Sequence, residues 1–96
     1  MERITMNWSV EEAVLEEVIT DTDVERDLMV YNDDFNTFDH VIETLVRICK
    51  HDYTQAEQCT YLIHYKGKCS VKKGQYEVLN PMRQGIAEAG IKAAIV

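Results

Sequence analysis

The chain has 96 residues, 46% of them hydrophobic and 28% charged, with a formal net charge of −7. That length supports one domain with one modest core, and the composition excludes wholesale disorder. Residues 1–34 hold eleven acidic side chains against Arg3 and Arg26, whereas residues 35–96 carry a net charge of +2. Nucleic-acid binding needs cations to displace phosphate counterions, so the acidic half argues against that role and favours a cationic partner. The basic residues Lys66, Lys68, Lys72 and Lys73 are too few to reverse this.

Three cysteines, Cys49, Cys59 and Cys69, are odd in number and lack Cys-x-x-Cys spacing, which fits reduced thiols rather than a disulfide framework. Glu11, Glu12, Glu16 and Glu17 interrupt any signal-like apolar stretch, and no apolar run approaches the roughly 20 residues of a membrane span. A soluble, cytoplasmic protein is expected, with no membrane association.

In chain order, residues 1–24 carry only a thin apolar stripe (Val10, Ala13, Val14, Val18) among acids, and read as a flexible acidic extension. The domain proper is expected over 25–96. Residues 25–31 end in the apolar run Leu-Met-Val-Tyr and read as a strand closed by the turn formers Asn32-Asp33-Asp34. Thr37 is expected to cap a helix carrying Phe38, Val41, Ile42, Leu45, Val46 and Cys49 on one face, ending near Lys50. Thr54-Gln55-Ala56-Glu57 reads as a capping box for a second helix to about Tyr65, stopped by Gly67. Ala56, Cys59, Leu62 and Ile63 are its expected apolar positions.

Lys68 to Lys72 reads as a second strand, its lysines suiting a sheet edge. Residues 75–89 look helical, with Tyr76, Val78, Leu79, Met82 and Ile86 available to the core, but Pro81 predicts a kink or a restart at Asn80-Pro81. Gly90 ends that helix and residues 91–96 form a third strand. The order β-α-α-β-α-β predicts an α+β fold, a three-stranded antiparallel sheet with three helices packed on one face.

The polar cluster Asn32, Asp33, Asp34, Asn36 and Thr37 admits three readings: turn and capping chemistry, a cation site lacking the usual calcium-loop pattern, or a site for an ammonium group. His64, near a helix end, reads alone as a satisfied histidine or a functional one, and His40 and His51 as surface residues. The histidines and cysteines share no zinc spacing, so no metal and no cofactor is expected. No nucleophile elbow, phosphate loop or metalloprotease signature is present.

Asn32-Asp33-Asp34-Phe35-Asn36-Thr37-Phe38 before an apolar helix, with His64-Tyr65-Lys66-Gly67-Lys68 at a helix-to-strand junction, resembles the ClpS adaptor family over about residues 27–96. The resemblance implies a non-enzymatic adaptor that binds the first residue of a target protein and delivers it to a Clp protease. By motif position, Asn32, Asp33 and His64 hold the free α-amino group, and Asn36 contacts the peptide backbone. Phe38, Val41, Thr60 and Ile91 line the pocket for the first side chain, with Phe38 and Thr60 standing where methionine is common. Implied partners are proteins beginning with Leu, Phe, Tyr or Trp, and the N-terminal domain of a ClpA- or ClpC-type AAA+ unfoldase, contacted through Glu77 and Arg83.

The chemistry of the residues agrees. An α-amino group is mostly protonated at neutral pH and has three hydrogens to donate. Asp33 offers charge, Asn32 an amide oxygen, and His64 an unprotonated ring nitrogen. Two other readings stand beside this one. The first is an interaction domain on the same fold with no open pocket. The second is a small acid–base catalyst using Asp33 and His64.

Overall fold

The computed structural model describes residues 24–96, so the expected acidic extension lies outside the described residues apart from Val24. Strand β1 (Arg26–Tyr31) is central, with β2 (Lys68–Gly74) on one side and β3 (Ala93–Ile95) on the other, both antiparallel to it. Alternation along β1 turns Leu28 and Val30 fully inward and leaves Asp27, Met29 and Tyr31 half-buried. Helices α1 (Phe38–Cys49), α2 (Tyr53–Lys66) and α3 (Tyr76–Glu88) follow in the expected order. One core joins them to the sheet through Leu28, Val30, Leu45, Ile63, Leu79 and Ile86, so the α+β architecture is as expected, with β2 at an edge.

α1 begins where Thr37 accepts a hydrogen bond from the His40 amide at 3.1 Å. It ends at Lys50, which takes the left-handed conformation at φ 62° and returns its N–H to the Leu45 carbonyl. Thr44 joins the buried face by bonding the His40 carbonyl at 2.8 Å, while Val46, expected inside, is partly exposed.

Three local expectations need correction. α2 starts earlier than the Thr54 box implies: Asp52 is the cap, accepting from the Gln55 amide at 2.7 Å, and Thr54 lies inside the first turn. A carboxylate two residues upstream satisfies the orphan donors first. The buried row of α2 is consequently Ala56, Thr60 and Ile63, with Leu62 turned outward. Pro81 neither breaks nor restarts α3, which runs through it. The ring is on the exposed side, and the only hydrogen bond forgone is to the carbonyl four residues back, in the first turn.

His51, expected on the surface, is only 4% exposed. Its Nε2 donates to the Val71 carbonyl at 2.7 Å. That carbonyl is available because the β1–β2 register slips between Leu28 and Met29, which pair with Lys72 and Ser70, leaving Val71 as the extra residue of a bulge. Lys72 Nζ then reaches the Cys49 carbonyl at 3.1 Å, closing the C-terminus of α1.

Two glycines have steric work. Gly90, at φ 86°, ends α3 as expected, with Ile91 N–H returning to the Ile86 carbonyl at 3.2 Å. Gly85 lets α3 approach α1: a Cβ there would sit 2.8 Å from Ile48 Cδ1. No helix among the described residues is long and apolar enough to cross a membrane.

Candidate functional site

Three chain reversals meet at one end of the sheet. The turn after β1 is tied to the end of α2 by the Asn32 amide, which donates to the Gly67 carbonyl at 2.9 Å. Gly67, at φ 93°, is the left-handed stop of α2, three residues beyond His64. The turn after α3 is tied to the same place by Tyr31 N–H to the Lys92 carbonyl at 3.0 Å. It is also held by His40, whose Nε2 bonds the Ala89 carbonyl at 2.8 Å, so His40 is half-buried and engaged rather than a plain surface residue.

Asp33 organises the turn. Its Oδ1 accepts the amides of Phe35 and Asn36, each at 2.8 Å, and its Oδ2 accepts the Asn36 side-chain amide at 2.6 Å. These bonds, the Asn36 backbone amide foremost, hold the carboxyl below the usual carboxylate range against a desolvation penalty second only to that bond, with the neighbouring His40 adding least. Two carboxylate oxygens offer about four acceptor positions, so three inward bonds leave Asp33 charged and able to accept another. Asn36 spans the gap: the same Nδ2 also donates to the Gly90 carbonyl at 2.9 Å, joining the first turn to the third.

Between these turns lies a small cavity of about 20 Å3 lined by Val30, Tyr31, Asn32, Asp33, Asn36, Val41, Ile63 and Ile91. About one water-sized group fits such a space. Five of the residues singled out from the sequence, Asn32, Asp33, Asn36, Val41 and Ile91, meet here. Val30, Tyr31 and Ile63 were missed, though the inward alternation of β1 and the adjacency of Ile63 to His64 marked two of them.

His64, Phe38 and Thr60 are not in that lining. His64 is exposed, and its ring stands edge-on to Phe38 at 5.1 Å and to Tyr65 at 4.7 Å. Phe38 also meets Tyr61 edge-to-face at 5.2 Å, and Tyr61 stacks on Tyr65 at 5.9 Å, so α1 and α2 carry a ladder of rings beside the cavity. Among the described residues nothing hydrogen-bonds the His64 ring. Thr60 is buried, with its hydroxyl committed to the Ala56 carbonyl at 2.8 Å.

Comparison with known proteins shows the family. A family described as ATP-dependent Clp protease adaptor protein ClpS matches residues 22–93. The chain is 38% identical over 68 residues to the ATP-dependent Clp protease adapter protein ClpS of Nostoc sp. (strain PCC 7120 / SAG 25.82 / UTEX 2576), covering 70% of each. The chain belongs to the ClpS family. As a ClpS protein it is an adaptor of a Clp protease, not an enzyme, and the acid–base reading of Asp33 and His64 is set aside.

The two residues that the ClpS resemblance assigns to the unfoldase lie on α3. Glu77 is exposed in its first turn, between Tyr76 and Val78, which are 48% and 54% exposed although both were expected to be available to the core. Arg83 is half-buried and donates from Nε and a terminal nitrogen to Asn80 Oδ1, each at 3.4 Å. The thiols of this ClpS protein are not activated nucleophiles: burial pushes Cys49 up to about 11 and Cys59 up to about 12. No group of three metal-ligating side chains occurs among the described residues.

Proposed function

We propose that this ClpS protein recognises the free N-terminus of proteins that begin with a bulky hydrophobic residue (Leu, Phe, Tyr or Trp) and hands them to a ClpA- or ClpC-type AAA+ unfoldase in the cytoplasm. The observation that carries the reading is the Asp33 carboxylate, held ionised with acceptor capacity to spare, at a cavity whose other walls are the apolar side chains of Val41, Ile63 and Ile91. An ammonium group needs the first feature and an adjoining aliphatic or aromatic side chain needs the second. Asn32 lines the same cavity and offers an amide oxygen, and the His64 ring nitrogens have no hydrogen-bond partner among the described residues.

Each hydrogen bond to the charged amine contributes about 1.5–3 kcal/mol and burial of a leucine or phenylalanine side chain a similar amount. Against these stands an association cost of several kcal/mol or more. The balance gives affinities near the micromolar range, suited to transfer rather than storage. The bulky side chain enters by displacement, because the cavity has room for about one water. In this reading Phe38, half-buried against Tyr61 and His64, is the group that moves, and Asn36 receives the peptide backbone. Glu77 and Arg83, with exposed Tyr76 and Val78 beside them, face the unfoldase.

The small cavity also supports a second reading, a ClpS-fold domain that docks on the unfoldase without accepting a first side chain. Fluorescence titration with peptides differing only in residue one separates the two. The first reading requires that Leu- and Phe-starting peptides bind, and that acetylation of the amine or a glycine in first place abolishes binding. Equal affinity for acetylated and free peptides would refute it.

A further inference from the structure

A larger open space than this cavity lies elsewhere. A groove of about 380 Å3 runs along the outer side of α1 to the start of α2, lined by Asp39, Ile42, Glu43, Val46 and Tyr53. None of these residues lines the small cavity, and none is on α3. The helical repeat sorts α1 into two rows. Asp39 and Glu43, four residues apart, form an acidic row; Ile42 and Val46, also four apart, form an apolar row that Tyr53 continues. Ile42 is the buried floor, while Val46 and Tyr53 are 37% and 60% exposed. Among the described residues neither Asp39 nor Glu43 has a hydrogen-bonding or ion-pairing side chain, so both charges are available.

We propose that this groove docks a cationic amphipathic helix of another protein, its apolar row against Ile42, Val46 and Tyr53 and lysines or arginines one turn apart against Asp39 and Glu43. Charge decides between the possible occupants. Residues 1–23 of this chain carry seven acidic side chains against Arg3, so they are repelled by the acidic row. A second copy placed groove-to-groove sets Asp39 and Glu43 against their own equivalents, which is again like charge on like charge. A basic amphipathic helix satisfies both rows, and the row spacing of α1 matches the one-turn repeat of such a partner.

The test uses the full chain and an N-acetylated helical peptide of leucines and lysines, whose blocked amine keeps it out of the α-amino site. Calorimetric titration should give saturable binding, with amide NMR shifts concentrated at Glu43, Val46 and Tyr53. Glu43→Lys turns an attraction into a repulsion and should weaken binding by about tenfold. Glu88→Lys makes the same charge change on α3 and should alter affinity by less than about twofold. Val46→Ser alters no charge and should still weaken binding several-fold, because it removes apolar contact. Absence of saturable binding, shifts centred on another face, or equal losses in Glu43→Lys and Glu88→Lys would each overturn the proposal, the last by reducing it to general attraction between a cation and an acidic protein.

Discussion

Two polar clusters in this molecule each hold or adjoin a histidine and use it to opposite ends. Where α1 meets the bulge of β2, His51 donates to the Val71 carbonyl and Lys72 to the Cys49 carbonyl, and the histidine is sealed from water. Where β1 turns into α1, Asn36 donates to both Asp33 and the Gly90 carbonyl, but the Asp33 carboxylate retains acceptor capacity and the nearby His64 ring is exposed. The first cluster holds two elements together and has little to offer a ligand. The second shapes a cavity and keeps groups facing it. A histidine in a polar neighbourhood is therefore informative only through what its partners leave available.

The contrast is tested most severely at His51. Replacing it with alanine removes a buried ring and leaves the Val71 carbonyl without its side-chain donor. We expect a loss of about 2–4 kcal/mol in urea unfolding, with peptide affinity of the folded fraction unchanged. The matching change at His64, an exposed ring, should shift stability by less than about 0.5 kcal/mol while weakening peptide binding. Similar stability losses at the two positions would erase the distinction.

Asp33→Asn sharpens the contrast from the other side. An asparagine oxygen can still accept the Phe35 and Asn36 backbone amides, although its NH2 cannot accept the Asn36 side-chain amide, so the turn should persist with a stability loss of about 1 kcal/mol. The charge, however, is gone. Removing a charged hydrogen bond to the ammonium should reduce affinity for a Leu-starting peptide by roughly tenfold to a hundredfold, read by fluorescence anisotropy. A variant that binds as well as the parent would show that Asp33 is a turn residue alone.

How much of this was legible in the sequence depended on whether the signal was local. The elements, the Thr37 cap and the Gly67 and Gly90 stops were readable because capping and left-handed glycines are decided within a few residues. The Thr54 box lost to Asp52 because two adequate caps lay two residues apart, and the earlier carboxylate takes the Gln55 amide. His51 was misread because its partner, Val71, is 20 residues away and its carbonyl is free only through a bulge. The restart expected at Pro81 did not occur, because the one hydrogen bond the proline forgoes, to the Glu77 carbonyl in the first turn, is not enough to end the helix. At the site, Asn32 and Asp33 were legible from motif and turn chemistry together. The Asn36 link to Gly90 spans 54 residues and was not.

The smallest expected effect concerns acid. Asp33 and Asp27 both have carboxyls held below the usual carboxylate range, but by different means. Lys73 at 2.6 Å is the first cause at Asp27, followed by Ser70 at 2.7 Å, whereas the Asn36 amide is the first at Asp33. A carboxyl whose folded pKa is depressed contributes stability that is fully present above its unfolded value near 3.9 and is lost as pH falls through the folded value. The stability gap between the parent and Asp33→Asn should therefore be constant from neutral pH to about pH 5 and shrink below about pH 4. The gap for Asp27→Asn should shrink in the same window, and also on adding salt at neutral pH, because an exposed ion pair is screened while hydrogen bonds from backbone amides are not. If salt weakened both gaps equally, the Asp33 turn would be held by charge rather than by its hydrogen bonds, and its carboxylate could not be regarded as kept ready for a ligand's ammonium group.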